Sequence, residues 1–194
     1  MRLILLALCA VVAAEGCVSR QHDRFYVLDA QPPAVHQPRA AFGQQIVLRL
    51  TVPSVADRGE MVLTTPDGVA VMDHERWAAP LADLATTALS QDIEHRRSDL
   101  LVLPRSADEA KLPLIKIAVS VDQISLRQGK QVSIEAHWRL TDVRTGAVAV
   151  GRDGFSAPLH ADNYAEVAAG LSSCIGLLAD RLIGEIPPPQ SSPQ

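Results

Sequence analysis

Two runs of strict alternation constrain the fold more than anything else in the chain. Ile115, Ile117, Val119 and Val121 alternate with Lys116, Ala118, Ser120 and Asp122. After Arg127, Gln128, Gly129 and Lys130 the pattern resumes, with Val132, Ile134, Ala136, Trp138 and Leu140 set against Ser133, Glu135, His137, Arg139 and Thr141. A period of two sends successive side chains to opposite faces of a strand, so each run has one buried and one wetted face. Joined by a short turn, the two runs predict an antiparallel hairpin. Arg144, Thr145 and Gly146 make a second turn, after which Val148 and Val150 open a third strand.

Shorter segments add to this sheet. Ile46, Leu48 and Leu50 face one way and Val47, Arg49 and Thr51 the other, a strand over 46–52. Phe25, Tyr26, Val27 and Leu28 read as a strand by their aromatic and β-branched content. Residues 60–65 and 69–72 are strand candidates across the turn signal Pro66-Asp67-Gly68, and 100–103 is a strand stopped by Pro104. Pro32, Pro33 and Pro38 mark a loop. Between the strands the period changes. Trp77, Leu81, Leu84, Ala85, Ala88 and Ile93 fall on one stripe of a helix within 76–95. Proline is tolerated only in a first turn, so regular helix is expected from Ala79 or Pro80, with Arg76 and Trp77 as lead-in. Val167, Leu171, Cys174, Ile175, Leu178 and Leu182 define a second helix, opened by an Asn163/Glu166 capping box and ended near Gly184. The expected fold is α+β: a mixed, largely antiparallel β-sheet with two long amphipathic helices packed on one face and the other face partly wet. At 194 residues the chain has length for one core.

The N-terminus does not belong to that fold. Arg2 precedes twelve apolar residues at 3–14, and Glu15 and Gly16 separate this run from Cys17. A bilayer-spanning helix needs about 20 apolar residues, so the run reads as a secretory signal rather than a permanent span. Ala14, Gly16 and Cys17 occupy the small-residue and cysteine places of the bacterial lipobox, where the thiol is acylated before the signal is cut away; Glu15 departs from that pattern. Cleavage ahead of Cys17 leaves only Cys17 and Cys174, and an acylated Cys17 cannot pair, which excludes an intramolecular disulfide framework. Val18 stands where inner-membrane-retained lipoproteins commonly carry Asp, which favours the outer membrane, periplasmic face. The seven residues 18–24 reach about 23 Å at full stretch, keeping the domain near the lipid surface. The expected division is a signal peptide at 1–16, a lipidated tether at 17–24, a domain at 25–186 and a disordered Pro/Gln/Ser tail at 187–194.

Few residues suggest catalysis or cofactors. The net charge is −4, and removing Arg2 and Glu15 with the signal leaves it unchanged, so there is no electrostatic footprint for nucleic acid. The six histidines, His22, His36, His74, His95, His137 and His160, never stand four apart, and no zinc motif is present. Ser172 lies inside a predicted helix rather than at a strand-to-helix elbow. Cys174 is on the apolar stripe and Trp77 and Trp138 are on predicted core faces, all positions for packing. No cofactor, metal site or catalytic residue is expected.

Several segments together resemble the PqiC (YmbA-like) family of ABC-type transport auxiliary lipoproteins. They are Phe25-Tyr26-Val27-Leu28, then Val52-Pro53-Ser54-Val55-Ala56-Asp57-Arg58, then Arg76-Trp77-Ala78-Ala79-Pro80-Leu81, then Ala136-His137-Trp138-Arg139-Leu140-Thr141-Asp142, and the helix beginning at Tyr164. They occur in the family's order over nearly the whole mature chain. The departure is Gly59-Glu60-Met61, where relatives usually carry Pro-Gln-Ile. The resemblance implies a non-catalytic docking or scaffold subunit beside an MCE-domain protein and inner-membrane transporter components, in a lipid-transport system that supports envelope integrity. A homo-oligomeric ring is compatible with such a role. It also implies that Asp57 and Arg58 orient the loop after the second strand by pairing locally, while Arg76 and Trp77 fix the entry of the first helix; strand-end capping and core packing are the plainer roles for the same residues. The alternative reading is a periplasmic lipid-binding carrier, which requires an internal apolar cavity. An anchored hydrolase requires a convergent polar cleft.

Overall fold

The predicted hairpin is the spine of the molecule. The computed structural model describes residues 22–31, 43–65, 67–103, 114–127 and 130–188. In chain order the elements are β1 (Arg24–Tyr26), β2 (Gln44–Thr51), β3 (Glu60–Thr65), β4 (Gly68–Trp77), α1 (Leu81–Arg96), β5 (Leu100–Leu103), β6 (Leu114–Arg127), β7 (Gln131–Asp142), β8 (Val148–Pro158) and α2 (Tyr164–Glu185). The signal segment, Cys17, the prolines of the 32–42 segment and the tail from 189 lie outside the described residues.

β6 and β7 pair along their whole length, and β8 continues the meander on the far side of β7. The other edge of β6 is shared: β2 runs parallel to its first half, and β3 meets its second half at Thr64 opposite Ser125. β5 extends the first branch beside β2, while β4 and then β1 extend the second beside β3. The sheet therefore forks. A register shift between Val121 and Gln123 sits near the fork. There Asp122 and Gln123 are both exposed while Val121 and Ile124 are both buried, as expected where a bulge resets the in-out phase of a strand. The sheet is mixed, as expected: the long β6–β7 and β7–β8 ladders and β3–β4 are antiparallel, while the shorter β1–β4, β2–β5, β2–β6 and β3–β6 pairings are parallel.

Two expected boundaries move. β4 runs to Trp77, so Arg76 and Trp77 are strand residues and not a helical lead-in. Pro80 is extended, with φ −50° and ψ 135°, and α1 begins one residue later at Leu81. At the other end of the chain Gly184 does not terminate α2. The helix runs to Glu185 and is closed by extended Ile186, while the positive-φ glycines among the described residues are Gly68 and Gly146 in the β3–β4 and β7–β8 turns. A left-handed conformation is where a missing Cβ matters, and both turns had been placed from composition.

α1 packs on β2, β5 and α2; α2 packs on β7, β8 and α1. Leu81, Ala85, Ala88, Leu89 and Ile93 of α1 are buried, as are all six residues of the stripe read for α2. α2 is long and apolar enough by length and composition to cross a membrane, but most of its apolar residues are buried in this core. Gly170 lets α2 approach β7 closely, since a Cβ there would lie 2.5 Å from Val132 Cγ1. Cys174 is fully buried near the Val132 and Phe155 carbonyls, and burial pushes its thiol up to about 11. A thiol so far from ionising at neutral pH is a packing group.

Candidate functional site

The residues singled out by sequence meet where the β2–β3 loop, the β1 edge and the start of α1 converge. The loop turns tightly, with the N–H groups of Ala56 and Asp57 both donating to Pro53 O at 2.8 and 3.0 Å. This turn aims Asp57 at a helix end rather than at Arg58. Its Oδ1 accepts the Ala82 N–H at 3.0 Å. Pro80, the N-terminal flanking residue of α1, offers no side-chain acceptor, so Asp57 caps the helix from 25 residues upstream. Its negative charge also suits the positive end of the helix. Asp57→Ala is expected to destabilise the domain by about 1 kcal/mol, read as a lower urea midpoint at unchanged slope.

Arg58 and Arg76 belong to one ladder of charges. Arg58 Nε donates to Glu60 at 3.0 Å, Arg76 Nη1 to the other Glu60 oxygen at 3.3 Å, and Arg76 Nε to Asp23 at 2.7 Å. His74 Nδ1 closes the ladder at 3.2 Å from Asp23. A second set runs alongside: Glu75 takes the Tyr26 hydroxyl at 2.6 Å and lies 3.5 Å from Arg24. The His74 hydrogen bond, reinforced by Arg76, holds the Asp23 carboxyl below its ordinary range. Hydrogen bonds from its own backbone and then from Arg58 do the same for Glu60. Each pair is partly exposed and worth little alone, but together they tie the three-residue strand β1 to β4.

Trp77 lies beneath this ladder, only 3% exposed. Its backbone N–H donates to Gly59 O and that of Ala78 to Tyr26 O, both at 2.8 Å, which locks loop, edge strand and helix entry together. The Trp77 indole N–H finds no acceptor among the described residues. Sequence reasoning named Asp57, Arg58, Arg76 and Trp77 but missed Asp23, Glu60, His74 and Glu75. The charged run Asp73-His74-Glu75-Arg76 was the available signal. It also missed Phe25, 65% exposed on the edge strand β1.

Other polar groups outside this site are also engaged. Ser172, buried inside α2, donates to Ala168 O and accepts from the Asp29 N–H. His137 lies 2.9 Å from Asp122, and Arg152 donates to Glu135 at 3.1 Å. Among the described residues no cluster of three His, Cys, Asp or Glu side chains is placed to hold a metal.

Comparisons with known proteins follow the same outline. A crystal structure of an uncharacterized protein matches with a TM-score of 0.69 and 17% identity, covering 84% of this chain and 98% of that one. Protein XCC0632 from Xanthomonas campestris matches with a TM-score of 0.61 and 18% identity, covering 84% and 92%. At such identities the likeness is one of fold. No curated protein sequence matches the chain. The model of one family does match, over residues 26–182, a span that takes in Asp57, the helix it caps, Arg58, Glu60, Arg76 and Trp77, and most of α2. On that match the chain belongs to the ABC-type transport auxiliary lipoprotein components, the PqiC-like family.

Proposed function

We propose that the chain is a periplasmic lipoprotein held at the outer membrane by acylated Cys17, serving as a non-catalytic docking subunit of an MCE-type intermembrane lipid-transport system that supports envelope integrity. The signal at 1–16 and the tether at 17–24 place the domain at the bilayer, and the inner-membrane components and the MCE-domain protein are its partners. Family membership supports the transport role. The observation that carries the docking role is Phe25. An aromatic side chain 65% exposed on an edge strand is an unusual use of apolar surface, and the ladder from Arg58 to His74 makes that edge rigid. A rigid aromatic at a sheet edge is the type of group that anchors a protein interface, because little conformational freedom is lost on binding. In this reading Asp57, Arg58, Arg76 and Trp77 act on the partner indirectly, by fixing the edge that presents Phe25.

Affinity purification of the intact lipoprotein in mild detergent is expected to recover the MCE-domain protein. Phe25→Ser should reduce that recovery at least about tenfold while leaving the urea midpoint within experimental scatter of the parent. Repeated purification without the MCE protein, or equal recovery by Phe25→Ser, contradicts the proposed docking.

A further inference from the structure

The exposed side of the β2–β6–β7–β8 region carries a charge arrangement unlike the ladder at β1. Register places four residues in one row across the strands: Arg49 opposite Ala118, Ala118 opposite Arg139, and Arg139 opposite Val150. Two interstrand spacings separate the arginine backbones, about 10 Å, with only the methyl group of Ala118 between them. Both side chains are exposed, and neither has an ion pair or hydrogen bond with any described residue. The acids of this face are already engaged: Asp122 and Glu135 take His137 and Arg152. Two permanently charged guanidiniums thus flank a groove of about 450 Å³ floored by Thr51, Ala118, Ser120 and Gly151.

Apolar surface adjoins the charge. Val150 ends the arginine row and Val148 stands two residues away on the same side of β8; they are 64% and 52% exposed. Unpaired guanidiniums beside exposed branched side chains match a surface that is anionic outside and apolar within, namely a bilayer bearing acidic phospholipids. The chain as a whole carries −4, so positive charge gathered on one face also orients the domain.

We propose that this sheet face lies against the membrane, with Arg49 and Arg139 gripping the phosphates of anionic phospholipid headgroups and Val148 and Val150 entering the interface. The proposal rests on the tethered reading above, because a short tether is what holds the face at lipid. A guanidinium presents parallel N–H groups that suit phosphate oxygens, and the groove lets one phosphate sit between two of them.

The test removes the anchor so that the face is measured by itself. The core extends from Leu28 to Ile186, so the chain beginning at residue 18 keeps every element of the fold. Its binding is followed by co-flotation with vesicles of phosphatidylcholine, with and without phosphatidylglycerol. Binding is expected only with phosphatidylglycerol, and the double variant Arg49→Gln/Arg139→Gln should weaken it roughly thirtyfold. Arg127→Gln, which removes an exposed cation off the row, should change it less than about twofold. Urea unfolding of each variant separates lost binding from lost folding. Equal binding by the double variant, no preference for phosphatidylglycerol, or an equal loss in Arg127→Gln overturns the proposal. Displacement by free glycerol phosphate also overturns it, since the groove would then be a site for a soluble anion. The unanchored chain tests the face alone; failed capture of the MCE protein bears only on the docking role.

Discussion

Trp138→Ala is expected to destabilise the domain by about 3–5 kcal/mol, a large part of the 5–15 kcal/mol typical of a folded domain. Trp138 is 2% exposed on β7, directly opposite Gly151 on β8. The missing side chain at Gly151 makes room for the indole, because a Cβ there would stand 2.4 Å from Trp138 Cζ2. The ring also joins sheet to helix. Its N–H donates to Asp153 at 2.8 Å, and the Arg181 guanidinium of α2 lies 5.0 Å from the ring centroid and 3.4 Å from the same aspartate. Truncation would leave a cavity between β7, β8 and α2 and remove the donor to Asp153. Trp138→Phe keeps most of the apolar volume and should forfeit mainly the hydrogen bond, about 1–2 kcal/mol. Urea unfolding followed by far-UV circular dichroism reads both values, and a loss below about 1 kcal/mol for the alanine variant would show that the ring does not fill the joint.

Arg96→Ala should be comparably severe, about 3–5 kcal/mol at neutral pH. Asp92 on α1 has no exposed surface, and Arg96 one turn later is its cation, with Nη1 at 2.5 Å from Oδ1. The same guanidinium reaches Asp180 of α2 at 2.6 Å and the carbonyl of Gln31 at 3.1 Å, while the Gln31 N–H donates to Asp92 at 2.7 Å. This one side chain therefore joins both helices to the segment that follows β1. Burial pushes the Asp92 carboxyl up from its ordinary range, and the hydrogen bond and charge of Arg96 oppose that push. What Arg96 stabilises is the ionised carboxylate, so its contribution is present while Asp92 is charged and fades as Asp92 protonates. In the alanine variant the carboxyl rises further, and its deficit against the parent should shrink as pH falls from neutral into the raised range. A deficit that stays constant over that interval would mean that Asp92 is not left carrying an uncompensated charge. Replacing both partners by apolar residues, Asp92→Leu with Arg96→Met, should recover much of the loss, because no charge then remains buried.

What the sequence made legible follows from the range of the interactions. β6, β7 and α2 were readable because periodicity is a local signal and their buried faces are continuous. In β6 the alternation was followed only as far as Asp122, because the bulge shifts Ile124 out of phase. β4 was cut short because its second half, Asp73-His74-Glu75-Arg76, has charged residues where alternation would need apolar ones; ion pairs to β1, and not burial, hold it. The fork of the sheet had no local trace, since parallel partners such as Ile46 and Ile115 are far apart in the chain. The site behaved similarly. Its arginines were found as motif residues, but the reach of Asp57 to Ala82 and of Asp23 to Arg76 depends on the tertiary fold. Phe25 was passed over because an aromatic in a short strand reads as core.

Everything proposed for this domain, from the membrane-facing arginines to the presented Phe25, presupposes that Cys17 carries lipid. The direct measurement is the intact mass of the mature protein together with the fractionation of a Cys17→Ser variant. The account predicts a chain that starts at Cys17 and is heavier than its residues by acyl groups, and a serine variant that is not acylated and is recovered with the membrane to a much smaller extent than the parent. A serine variant that is processed as the parent is and sediments with the membrane to the same extent would contradict it.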